Sequence, residues 1–210
     1  MEQPVKNYRM SSILGLLVGL MFLPLASHAT VVTLGEQDYT DGVILGSVAG
    51  FNAAQSGEAG PFGWNGSDGG TDFSVSWSMT YGAAAITSAA VTFGIWDHDS
   101  AQTGDQVASF LVDGIDLTAA ANAVLNASGG AQTEYNVYTI DLTSVASSLS
   151  DGFAAFTLSL KGPAFCCSLP NNGAGFDFVE LEYATAVPAP AGIAMFGLGL
   201  MLLGALRRYR

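Results

Sequence analysis

The chain has 210 residues, 18 acidic against 6 basic, with 50% hydrophobic and only 11% charged. Residues 30–186 carry 17 carboxylates against Lys161 alone, a net charge of −16. Such a body repels phosphate and anionic lipid headgroups and lacks the basic patch of a nucleic-acid binder, so nucleic acid is excluded as a partner. In chain order, the first element is an address. Residues 1–9 are polar with Lys6 and Arg9, residues 13–23 are apolar, and Ser27-His28-Ala29 is a small-x-small cleavage signal. This is the layout of a secretory signal peptide over residues 1–29. The apolar run, interrupted by Pro24, falls well short of the roughly 20 residues that cross a bilayer.

Residues 30–186 read as one β domain, long enough to close a single core. Phe73, Val75, Trp77, Met79 and Tyr81 alternate with serine and threonine, which predicts a half-buried strand over 73–81. Val91, Phe93 and Ile95 repeat the pattern. Further strands are predicted at 31–34, 43–48, 106–112, 134–142, 153–160 and 176–183. Asp113-Gly114 between Val112 and Ile115 predicts a type I′ hairpin. One short helix is predicted over 118–125, with Thr118 as its N-cap. Turns are assigned to 57–70, 128–130 and 162–175. About eight short strands with Gly/Asn/Asp turns predict an all-β, antiparallel β-sandwich of jelly-roll type.

Candidate chemistry is sparse. After cleavage at Ala29, His98 is the last imidazole, and no Gly-x-Ser-x-Gly elbow supplies a nucleophile. Zinc is not expected from one His and two adjacent Cys. The stretch from Trp96 to Asp105 places Asp97, Asp99 and Asp105 within nine positions of a Gly-containing loop. These are hard oxygen ligands of the kind Ca²⁺ takes, with Asp113 and Asp177 as further candidates. In its strand, Asp177 alternates with Val179, Leu181 and Tyr183 and so is expected to face inward. The competing reading is a solvated loop whose aspartates cap its own turns. Trp64, in a Gly/Asn loop, is either a sugar-stacking platform or an aromatic folded back over the sandwich end. Trp77 and Trp96 read as core. Cys166-Cys167 is compatible with a vicinal disulfide or with cross-linking between chains after export.

The last element is a second address, residues 187–210. Val187, Pro188, Ala189, Pro190 and Ala191 lead into fifteen uncharged residues (192–206), followed by Arg207, Arg208, Tyr209 and Arg210. As a helix the apolar stretch covers about 22 Å, a short span that places the arginines on the cytoplasmic side. This order of parts resembles the PEP-CTERM sorting signal of Gram-negative bacteria, with Ala189 where the commonest form carries Glu. The resemblance implies processing by an exosortase near Pro188–Ala191. It further implies anchoring in the inner membrane on the periplasmic side, then delivery to the cell surface or matrix beside exopolysaccharide. The body is similar to exported jelly-roll modules, several of which are similar to carbohydrate-binding modules. The leading expectation is therefore a non-enzymatic surface or matrix component. The alternative is a carbohydrate-binding module using Trp64, and a secreted glycosidase built on a carboxylate pair comes third.

Overall fold

The computed structural model describes residues 28–164 and 169–186, together with positions 199 and 204. The signal peptide, Cys166 and Cys167, and the sorting motif with its arginines lie outside the described residues, apart from His28 and Ala29. Among the described residues, no helix is long and apolar enough to cross a membrane. Residues 29–186 form one compact unit, in which ten strands make two sheets. The first sheet runs β1 (His28–Leu34), β10 (Ala174–Thr185), β5 (Ile86–Trp96), β8 (Glu134–Asp141), β2 (Val43–Ile44), with β3 (Gly63–Asn65) also paired to β10. The second runs β4 (Ser74–Thr80), β9 (Phe153–Leu160), β6 (Val107–Val112), β7 (Ile115–Asp116).

The strand order is that of a jelly roll. The neighbours β1·β10, β4·β9, β5·β8 and β6·β7 are nested pairs, and successive pairs alternate between the sheets. A single long ribbon wrapped around one core gives this arrangement. The core follows the period-2 pattern. Val75, Trp77 and Met79 of β4 point inward and Ser74, Ser76, Ser78 and Thr80 outward. Trp77 stacks on Phe156 at 5.0 Å and meets Phe176 of the other sheet at 5.1 Å. Phe93 and Phe110 make a second aromatic contact between the sheets at 6.3 Å.

The β6–β7 hairpin has positive φ at both Asp113 (51°) and Gly114 (78°), the type I′ turn expected of Asp-Gly. The helix α3 (Thr118–Ala127) is present, but Thr118 is its first turn rather than its cap. The Thr118 N–H donates to Asp116 Oδ1 at 2.8 Å, and its hydroxyl accepts from Phe110 N at 3.0 Å. From the same helix, buried Asn122 bonds both the N–H and the C=O of Val107, completing the pairing of β6 at its first residue.

Four further expectations are corrected. The strand expected over 43–48 is only Val43–Ile44, after which Ser47 caps α1 (Val48–Ala54) by accepting from Gly50 N at 3.1 Å. The 57–70 turn contains β3, drawn into extension by pairing with 174–176 of β10. A third helix, α2 (Ser100–Thr103), follows β5. Finally, β10 carries a bulge: Phe176 pairs with Ile95 and Val179 with Phe93, three residues against two. The bulge resets the alternation. Asp177 is buried, yet not in the core between the sheets. Its carboxylate bonds Tyr135 and Gln55, which belong to the outer face of the first sheet.

That outer face carries a second, smaller core of Phe51, Trp96 and Tyr135, edged by Tyr39, Leu45, Trp64 and Val137. Two glycines make room for it. A Cβ at Gly94 would collide with the Tyr135 hydroxyl, and one at Gly175 with the Phe51 ring. Gly94→Ala is expected to displace Tyr135 and cost about 1–3 kcal/mol, a typical overpacking penalty. Chemical denaturation checks this. A Gly94→Ala protein as stable as wild type would mean that the outer core has slack the packing does not suggest.

Candidate functional site

The first sheet presents two different surfaces on its outer side. At one end, α1 and β3 close over it. Phe51 of α1 stacks on Tyr39 at 5.6 Å and packs on Trp96 at 5.1 Å. Beneath them sits Asp177, fully buried, accepting from the Tyr135 hydroxyl at 2.5 Å, from Gln55 Nε2 at 2.6 Å and from Asp38 N at 3.2 Å. The same Gln55 amide donates to Asp38 Oδ2 at 2.9 Å, while its own carbonyl oxygen is buried with no donor among the described residues. Burial pushes the Asp177 carboxyl up; the hydrogen bonds from Tyr135, Gln55 and Asp38 pull it back, and the Asp38 charge adds to the rise. Burial first, then the charges of Asp38, Asp177 and Glu36, raise Glu58 nearby, against a lowering bond from Glu36 N–H.

Trp64 belongs to this closed end. It is half-buried in β3, its ring meets Trp96 edge-on at 5.2 Å, and its Nε1 donates to Gly66 O at 2.9 Å. One edge of the ring is thus packed against the fold, while part of it stays exposed. Trp96 is buried, with Nε1 donating to Thr133 O at 2.8 Å.

The other end of this face is open. A trough of about 380 Å³ lies over β8, β5 and β10, lined by Ser88, Ala90, Thr139, Asp141, Thr143 and Glu182 among others. Register creates it. Ala90 pairs with Asp141 on one side and with Glu182 on the other. Two carboxylates therefore stand in one row across a methyl group. Thr92, one row along, bonds Thr139 hydroxyl to hydroxyl at 2.8 Å and pairs with Glu180. Two hydrogen bonds from Thr143, side chain and backbone, hold the Asp141 carboxyl below the usual carboxylate range.

The carboxylates singled out in the sequence have separate partners. Asp97 and Asp99 take left-handed φ of 62° and 63°, a conformation that Asp tolerates better than most residues. Asp97 Oδ1 accepts from Thr133 N at 2.6 Å, and its carboxyl is raised, chiefly by burial. Asp99 is buried at the start of α2. Exposed Asp105 accepts from Asn126 at 2.5 Å. Asp113 accepts from Ala155 N at 2.8 Å at the far end of β6, about 20 Å of strand from Asp105. Among the described residues, no three His, Asp or Glu side chains gather into a metal-binding group. The trough was missed in the sequence. Its signal was a strand whose outward positions are small (Ser88, Ala90) beside two that put carboxylates outward.

His98, weighed as a catalytic base, is fully buried. Its Nδ1 accepts from Ser100 (Oγ at 2.9 Å, N at 3.4 Å), leaving Nε2–H to donate to the Tyr138 oxygen at 2.6 Å. Ser100 is buried as well, so this Ser–His pair is closed to substrate. Burial pushes His98 down to about 3. The folded-state value lies below the unfolded one of about 6.5, so the protonated imidazole is accommodated only by the unfolded chain. Stability is full above pH ~6.5 and is lost as pH falls from there toward 3, by an amount on the order of a few kcal/mol. Raised Asp97 and Asp177 act in the opposite sense, because the folded form binds their protons more readily. The measurement is therefore a comparison of unfolding free energy against pH for wild type and His98→Gln. The variant is expected to lose the acid slope between pH 6.5 and 4; parallel curves would remove His98 as its source.

No family model matches the chain, and a search of curated proteins finds no match. Solved structures similar to it include a family 35 carbohydrate binding module from an environmental isolate. That module is 16% identical, with 75% of this chain and 99% of that one covered at a TM-score of 0.40. The CBM35 of Cellvibrio japonicus Abf62 is 20% identical over 74% and 98% of the two chains at 0.36. The CBM36-1 domain of a multidomain xylanase from the Trinervitermes trinervoides hindgut metagenome is 12% identical over 77% and 100% at 0.31.

Proposed function

We propose that the chain is an exported, non-catalytic jelly roll that binds glycan through the open trough on β8, β5 and β10. One observation carries the reading: the face is covered by α1 and β3 at one end and left as a concave surface of hydroxyls and carboxylates at the other. Ser88, Thr139, Asp141 and Glu182 offer acceptors and donors spaced along strands, the geometry for recognising a polyol. Trp64 has its ring and its N–H engaged within the fold, so its role here is structural. Glycan-array binding of residues 29–186 is expected to survive in a folded Trp64→Phe protein and to fall at least tenfold in Asp141→Ala/Glu182→Ala. Loss in the first and retention in the second would return the site to Trp64.

Export and sorting belong to the same proposal. The signal peptide delivers the body across the inner membrane. The tail holds it there through Arg207, Arg208 and Arg210 until an exosortase cuts near Pro188–Ala191, which releases it to the surface beside exopolysaccharide. Intact mass of the mature species is expected to give an N-terminus at Thr30 and loss of the segment after Pro190. Full-length tail persisting in a strain with an active exosortase would count against sorting.

A further inference from the structure

Resting on the glycan reading, we propose that the trough selects glycans bearing free amines, a cationic hexosamine polymer rather than a neutral or acidic one. The argument starts from register. Asp141, Ala90 and Glu182 stand in one row on three adjacent strands, so the outer two backbones are two strand spacings apart, about 9.6 Å. Ala90 contributes only a methyl group between them, and Ser88 is the next outward residue of the same strand. The floor is thus low and both walls are anionic. Glu180 extends the β10 wall beside Thr92.

The charge of this row has no answer inside the body. Lys161, its one basic residue, follows β9 of the other sheet. Asp141 keeps its charge into acid because Thr143 hydrogen bonds favour the carboxylate. A uronic or sulfated chain meets repulsion from both walls and from a body at −16. A neutral chain gains ordinary hydrogen bonds alone. An ammonium group on the sugar turns those bonds into charge-assisted ones, and a polymer repeats the gain along its length. The walls are solvent-exposed, so the attraction is screened by salt.

The experiment is titration calorimetry on the body, residues 29–186, whose core is closed within itself. The probes are a fully deacetylated glucosamine hexamer, the N-acetylated hexamer and an oligogalacturonate, at 20 and 300 mM salt. The expected result is binding of the amine form at least tenfold tighter than the acetylated one, weakening strongly with salt, and none of the uronate. Asp141→Asn/Glu182→Gln is expected to erase the amine preference, while Asp116→Asn/Asp151→Asn, an equal charge change elsewhere, leaves it intact. Equal binding of amine and acetylated forms overturns the selectivity and leaves glycan binding standing. A preference lost equally in both double variants overturns it too, as a general effect of an acidic surface. Failure of all three probes together with a blank glycan array would defeat the glycan reading itself.

Discussion

The bulge between Phe176 and Val179 in β10 is the constraint on which the rest of the first sheet depends. One extra residue there lets Phe176 point into the core on one side of the bulge and Val179, Leu181 and Tyr183 do so on the other. The cost is a carboxylate, Asp177, placed on the outer face where a strand of apolar parity would have had none. A buried carboxyl needs partners. Tyr135 reaches it from β8, Gln55 arrives from the end of α1, and Asp38 N–H from the segment after β1. The covering layer of α1, Tyr39 and Trp64 is therefore tied to the sheet by that carboxylate as well as by aromatic packing. Beyond the bulge the restored alternation sends Glu180 and Glu182 outward. Among the described residues Glu182 is exposed and Glu180 partly so.

What the sequence made legible follows from how local each signal is. The strands at 74–80 and 153–160 were readable because their neighbours alternate cleanly between core and water, and Asp113-Gly114 because a type I′ turn needs positive φ at both positions. The helix α1 was not. Val48–Ala54 contains a glycine, lacks a charged residue and lasts two turns, so its stability comes from Phe51 packing on Trp96 and Tyr39 rather than from propensity. The strand β3 exists only because β10 pairs with it. At Asp177 the pattern misled, since apolar residues occupy both parities (Phe176 and Phe178, Val179 and Leu181), and only pairing with β5 shows where the extra residue lies. The trough is a property of three strands brought together from distant parts of the chain, and no window of sequence contains it.

The polar interior at the β5–β6 end has a comparable logic. Asn172, fully buried, donates to His98 O and Gln106 Oε1, while its backbone N–H donates to Asp72 Oδ1 at 2.8 Å. Asp68 receives Gly173 N at 3.0 Å. Loops from three parts of the chain are locked by side chains that supply the partners their backbones lack. His98 is one member of that lock, which accounts for its burial and for its neutral, singly protonated ring.

The trough carboxylate and the buried one differ in how readily each holds a proton. A general acid must hold a proton near neutral pH, which requires a raised carboxyl in contact with substrate. In the open trough Asp141 is pushed the other way by Thr143, so it stands ionised where an acid would be needed. Asp177, whose carboxyl is raised, is sealed beneath α1 with its oxygens bonded to Tyr135 and Gln55. The histidine that could act as a base is buried with its serine. The trough presents a row of carboxylates, Asp141 and Glu182, suited to hold a ligand by attraction.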